Sequence, residues 1–216
     1  MFTILDSLPK EHMLLGGIAF FIAMILALTL HEFGHAFVAY KCGDSTAKMM
    51  GRLTINPLVH MDPIGLICCF LFGFGWAKPV PINALHFKHY RKGIVLTSLA
   101  GVTINFILAF FSCGIFMALA KYLTVVNNVI IFILYFLQFM FSINLILAIF
   151  NILPVYPLDG FRVIEATTKY DNKFVRFMRQ YGSLIMLLVL FVGADLLSII
   201  YSAIELPIVM FWGLIF

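Results

Sequence analysis

Apolar positions in this chain neither alternate nor recur at amphipathic spacing; they run on without interruption. Four runs, at roughly 14–40, 94–120, 129–153 and 183–205, reach the length of about 20 residues that a helix needs to cross a bilayer core. A fifth, 64–77, is shorter, holds Gly65, Gly73 and Gly75, and is flanked by Pro63 and Pro79. Too short to span and rich in helix breakers, it predicts a re-entrant hairpin, which lipid tolerates only where protein or a wet cavity covers the backbone. The last run, 206–216, is also too short to span. No repeat of 20–50 residues is visible. The pattern predicts an all-α polytopic membrane protein with about four transmembrane helices and a short re-entrant membrane segment. Residues 48–56 (KMMGRLTIN), where Thr54 and Ile55 are β-branched, read as an ordinary loop or, alternatively, as a small β-element whose edge could pair with an extended substrate. One membrane-embedded domain over 1–216 is expected, with a core at about 14–165 and a C-terminal helix at 183–205.

Composition agrees with a bilayer as solvent. Hydrophobic residues make up 63% and charged residues 11%, against roughly 45–50% and about 25% in soluble domains. A soluble globule, a disordered tail and a nucleic-acid binder are excluded. The net charge is +4, but the basic residues sit beside apolar runs and act as topology signals. Of 14 Lys and Arg, seven lie in 41–93 and five in 154–182, which makes that side cytoplasmic and leaves both termini outside. The hairpin must then enter and leave from the cytoplasmic side. The first apolar run is too long for a signal peptide and lacks a basic leader, so no cleavage is expected. Cys42, Cys68, Cys69 and Cys113 form no CxxC pair and read as free thiols.

The first run carries HEFGH, His31 to His35. Residues i and i+4 share a helix face, so both imidazoles reach one ion, with Glu32 one step round the helix. Zinc hydrolases use this arrangement, and inside lipid an ionisable side chain is a functional candidate by default. His31 lies nine residues from the end of the run, about 14 Å from the cytoplasmic side. A catalytic zinc takes three protein ligands and leaves one position for water. The third run ends in NILPVYPLDG, Asn151 to Gly160, where Pro154 and Pro157 stop the helix and free Asp159 to fold back. Asp159 leads as third ligand, although x-Pro-x-Asp-Gly is also turn chemistry. Its competitors are Asp195, placed mid-span in the fourth run, and His60 and Asp62 in NPLVHMDP. His12, His86 and His89 lie near span ends and read as solvated surface.

Water has to reach such a site. Thr97, Gly101, Asn105 and Ser112 form a small or polar stripe on one face of the second run, a candidate lining for that route. Asn105, about 16 Å deep, is a candidate to support a ligand or contact substrate. Asn144 and Asn151 share a face of the third run; Asn144 reads as packing.

HEFGH in a membrane helix with NILPVYPLDG after a later one resembles the site-2 protease family of intramembrane zinc metalloproteases. That family's HExxH and NxxPxxPLDG are matched at His31, Glu32, His35, Asn151, Pro154, Pro157, Leu158, Asp159 and Gly160. GRLTINPLVHMDPIG and GWAKPVPIN resemble its compact bacterial branch, and the resemblance covers about 15–165. It implies one Zn2+ per chain held by His31, His35 and Asp159, and Glu32 as activator of water. It also favours Asn151 as a substrate-binding or oxyanion-binding amide. Two departures stand out. Phe161 replaces a second glycine after LDG, and the G-P-x-x-N pattern reads Gly101 to Asn105 without its proline.

The expected function is an intramembrane zinc metalloprotease cutting transmembrane or membrane-proximal protein substrates near the cytoplasmic face. The expected location is the bacterial cytoplasmic membrane, with the active site toward the cytoplasm and no nucleic-acid partner. The alternatives are a membrane zinc transporter, which would not need Glu32 between the histidines, and a non-proteolytic membrane scaffold. A prenyl-protein type of protease would take a Glu from ExxxD, and neither Glu165 nor Glu205 has Asp four residues on.

Overall fold

The computed structural model describes residues 9–72, 75–124, 127–169 and 172–216. A 3-10 turn at Lys10–His12 leads into α1 (Met13–Cys42), followed by single turns α2 (Thr46–Met49) and α3 (Pro57–His60) and by α4 (Pro63–Phe72). Next come α5 (Tyr90–Tyr122), α6 (Asn128–Asn151), α7 (Asp159–Thr167), α8 (Lys173–Phe191) and α9 (Ala194–Gly213). Four segments are long and apolar enough to cross a membrane: Lys10–Cys42, Tyr90–Tyr122, Asn128–Asn151 and Ala194–Gly213.

Three of these match the expected spans within a few residues. The fourth does not. No continuous helix covers 183–205: the chain breaks at Val192–Gly193, where Gly193 N–H turns back onto the Leu188 and Val189 carbonyls. The run 206–216, expected to be too short, joins 194–205 to make the 20-residue α9. Apolar composition is continuous across the break, so hydropathy alone places the span too early.

The expected hairpin is present in part, with a different interior. Pro63–Phe72 is helical despite Gly65, because Asp62 Oδ1 caps it, accepting from Ile64 N and Gly65 N at 2.9 Å each. The arms close at an isolated antiparallel bridge, Met61 to Ala77, and Lys78 N donates to His60 O at 2.7 Å. Gly73, one of the three expected breakers, lies outside the described residues. The hairpin packs at membrane depth: Cys69 and Ala77 share a buried cluster with Phe20, Ala23 and Met24 of α1 and with Phe139, Met140 and Ile143 of α6. Of the two readings of 48–56, the loop holds and the β-element does not form: Thr46–Met49 is a helical turn and residues 50–56 are irregular.

Small residues let the three central helices approach. Ala19, Ala23 and Ala27 of α1 are fully buried, as is Ala109 of α5. In lipid this close contact, rather than exclusion from water, drives helix association. α7 returns from the end of α6 to lie on α5, and α9 packs on the outside of α5 and α6 through Ile208, against Cys113, Phe141 and Leu145.

Candidate metal centre

α1 presents His31 and His35 one turn apart, both 6% exposed. α6 stops at Asn151, and the loop through Pro154 and Pro157 returns the chain so that Asp159, also buried, opens α7. Asp159, expected to fold back as the third ligand with a plain turn as the competing reading, sits in the first turn of a helix, where an acidic side chain is favoured. The return is tight. A Cβ on Gly160 would lie 2.0 Å from the Ile152 carbonyl oxygen, so only glycine fits there.

The side chains of His31, His35 and Asp159 converge. Asp159 Oδ2 is 3.3 Å from His31 Nε2 and 3.2 Å from His35 Nε2, and the two Nε2 atoms are 3.0 Å apart. Among the described residues this is the group of three able to hold a metal ion.

The protons can be placed from the partners. His35 Nδ1 lies 2.7 Å from the Thr97 carbonyl oxygen, an acceptor only, so Nδ1 carries the hydrogen. His31 Nδ1 meets Asn105 Oδ1. The direction of that amide is set further back: Asn144 Nδ2 donates to the Met140 carbonyl at 2.8 Å, which turns Asn144 Oδ1 toward Asn105 Nδ2 at 2.7 Å. Asn105 Oδ1 therefore faces the ring, and His31 also carries its hydrogen on Nδ1. Both Nε2 lone pairs then point at a carboxylate oxygen that has no donor of its own. Three proton-free lone pairs at about 3 Å in a buried site repel each other unless a cation lies between them. Tetrahedral zinc with bonds of about 2.0–2.2 Å sets its ligand atoms about 3.3 Å apart, so the donor set fits that ion.

Gly101 makes room for the rings. A Cβ there would lie 2.5 Å from His31 Cε1 and 2.6 Å from His35 Nε2. The stripe Thr97, Gly101, Asn105 and Ser112 is buried throughout. Rather than lining a water route, its first three positions hold the two imidazoles. Asn105, expected to support a ligand or contact substrate, is 0% exposed and held between His31 and Asn144, so its oxygen faces the His31 ring. Asn144, read from sequence as packing, is the anchor of that chain. The signal was its seven-residue spacing from Asn151, which shows a shared face but not a partner.

Glu32 is half-buried and its Oε2 accepts from Val80 N–H at 2.9 Å. Pro79 and Pro81 have no N–H, so Val80 carries the one donor of that Pro-Val-Pro run. This contact was not legible in sequence. Asn151 is half-buried, with Nδ2 donating to Leu147 O one turn back.

The competing ligands lie elsewhere. His60 is fully buried with Nε2 on the Thr54 carbonyl at 2.8 Å, and Asp62 caps α4. Asp195 is not mid-span; it is exposed in the first turn of α9. His86, expected in solvent, pairs through Nδ1 with buried Asp44 Oδ1 at 3.1 Å. All four cysteines are free thiols.

The model of peptidase family M50 matches residues 19–193. "Putative zinc metalloprotease YwhC" of Bacillus subtilis is 38% identical over 204 residues, 87% of this chain and 92% of that protein. Rip2 of Mycobacterium tuberculosis, which bears the same description, is 30% identical over 178 residues, 80% of this chain and 66% of its own. "Zinc metalloprotease MJ0392" of Methanocaldococcus jannaschii is 26% identical over 189 residues, 86% of this chain and 46% of its own. No solved structure matches. The two histidines and the aspartate that converge here lie within the matched region, and the chain belongs to peptidase family M50, the site-2 protease family of zinc metalloproteases.

Proposed function

We propose that this integral membrane zinc metalloprotease cuts transmembrane or membrane-proximal proteins near the cytoplasmic face, as a single membrane-embedded domain over 1–216. One observation carries the reading: three proton-free donors meet beside Glu32, walled by helices of membrane-spanning length. The orientation rests on the basic residues, concentrated in 41–93 and 154–182. The centre then faces the cytoplasm, in a bacterial cytoplasmic membrane, and both termini lie outside.

His31, His35 and Asp159 would hold the zinc, which when bound polarises the scissile carbonyl and lowers the pKa of water. Glu32 takes a proton from the attacking water and delivers it to the leaving amide nitrogen, so the carboxylate is restored and two chain ends are released. The Val80 amide fixes Glu32 Oε2 and leaves the other oxygen for proton transfer. Asn105 and the Thr97 carbonyl hold the imidazoles in the tautomer that points Nε2 inward. Asn151 remains the candidate donor to the substrate carbonyl, on releasing Leu147 O. A spanning substrate has its carbonyls bonded within its own helix and must unwind locally before attack.

The test is zinc-dependent cleavage of co-expressed single-span proteins, with Glu32→Gln as the control. That variant should keep bound zinc and lose cleavage. Cleavage by Glu32→Gln at the wild-type rate overturns the assignment of the base. Zinc flux without cleavage by the wild type overturns the protease reading in favour of a transporter.

A further inference from the structure

The charged helix that follows α7 plays no part in the metal centre. On α8, Phe174, Phe177, Tyr181, Leu184 and Leu188 follow steps of three, four, three and four, and all are exposed. They form one apolar stripe along the helix. The opposite face carries Arg176 and Arg179, and every charge of α8 lies in its first half. Leu184–Phe191 carries none. A helix of this kind lies with its stripe in lipid and its charged half among the head groups.

That charged half closes a cleft of about 410 Å³ against the first turn of α5 and the end of α7. Arg91, Lys169, Arg176 and Arg179 line it, with Glu165 as the one carboxylate among the described lining residues. Glu165 Oε1 is taken by Arg179, with Nε and Nη2 at 2.6 Å each. Arg91 and Lys169 have no hydrogen bond or ion pair among the described residues. Tyr90 and Thr168 add hydroxyl groups to the wall. The cleft therefore has an excess of positive charge and lies where the apolar part of α5 begins, in the same layer that the charged half of α8 marks.

We propose that this cleft holds the phosphate of an anionic phospholipid head group from the leaflet on the α7–α8 side. Positive charge selects an anion, the hydroxyls and guanidinium groups supply donors for phosphate oxygens, and the stripe beside it places acyl chains within reach.

The test uses the full-length protein in dodecyl maltoside with three probes: dioleoylphosphatidylglycerol, dioleoylphosphatidylcholine and inorganic phosphate. Binding is read by native mass spectrometry and by thermal unfolding. Phosphatidylglycerol should bind and raise Tm, and phosphatidylcholine should not. Arg91→Gln with Lys169→Gln should weaken phosphatidylglycerol by about thirtyfold, about fivefold per basic group. Arg91→Lys with Lys169→Arg should restore it, and Lys48→Gln, outside the cleft, should change nothing. Should the double glutamine variant not fold, wild-type binding must still weaken as salt rises. Equal binding of phosphatidylcholine, an unchanged affinity in the folded glutamine variant, or salt-independent binding overturns the proposal. Equal stabilisation by inorganic phosphate alone also overturns it, and assigns the cleft to a soluble phosphate compound. No arm reads cleavage, so the outcome is independent of the protease reading.

Discussion

In α6, 44% of the apolar stretch is buried; in α9 the figure is 6%. Both helices are apolar enough to span, yet they are held differently. Around α1, α5 and α6, close contact through alanine and glycine is combined with a buried chain of polar partners, from Met140 O through Asn144 and Asn105 to His31. On α9, a few contacts suffice: Trp212 Nε1 donates to Phe110 O at 2.9 Å, and Tyr201 O–H reaches Ser142 Oγ at 3.4 Å. Lipid rewards neither helix for hiding apolar surface, so buried polar groups decide which contacts are rigid. Those buried polar partners are concentrated around the group that could hold a metal.

Substitutions in the two regions should therefore differ in size and in kind. The largest effect is expected for Asp159→Ala, which removes one of three protein donors. Zinc affinity should fall by on the order of a hundredfold or more, since about 10–16 kcal/mol in structural zinc sites with four protein ligands comes to roughly 2.5–4 kcal/mol per ligand. Metal analysis of the purified protein checks this, with Asp195→Ala as the comparison. Loss of zinc only in Asp195→Ala would break the assignment. Next, Asn105→Ala should lower zinc affinity about 10–100-fold without unfolding the chain, the usual cost of losing an outer partner of a ligating histidine. Equilibrium competition with a chelator measures it.

A third test moves to the rim, outside the spans. Asp44 is fully buried, and its carboxylate accepts from Thr46 N at 3.0 Å, Thr46 Oγ1 at 2.5 Å and Asn83 N at 2.7 Å. Burial alone would push this carboxyl up, but the donors around it outweigh that and hold it below its ordinary value. A depressed carboxylate contributes stability that is present above its unfolded pKa of about 3.9 and is lost as pH falls through the folded value. Asp44→Asn should cost about 1–3 kcal/mol at neutral pH. It should also flatten the loss of stability below about pH 5, measured by unfolding against pH. The smallest effect is expected for Trp212→Phe, which removes one hydrogen bond at about 0.6–1 kcal/mol and leaves zinc content unchanged. A loss of zinc in that variant would show that the two regions are coupled, and would end the contrast.

Much of the centre was legible before any fold. HEFGH needs only the helical period to bring His31 and His35 together, and Pro154 and Pro157 mark where α6 must end. Asn105 could be placed at the right depth by counting residues. Its role could not, because a buried amide has two ends and only its partners show which faces the ring. The Val80 contact with Glu32 joins positions 48 residues apart through a backbone donor. Nothing in the identity of valine announces it. The error at the fourth span has the same origin. Hydropathy measures how long apolar composition lasts, and it lasts across Gly193, where the backbone turns.

The sequence by itself determined the solvent, the number of helices apolar enough to span and the metal-binding chemistry, because each follows from composition or from a local period. Only the tertiary structure decided which tautomers the histidines take, what holds Glu32, where the last span begins and which surface collects Arg91 with Lys169. Those features depend on distances between segments remote in the chain, and remote distances are set by the whole packing rather than by any stretch of residues.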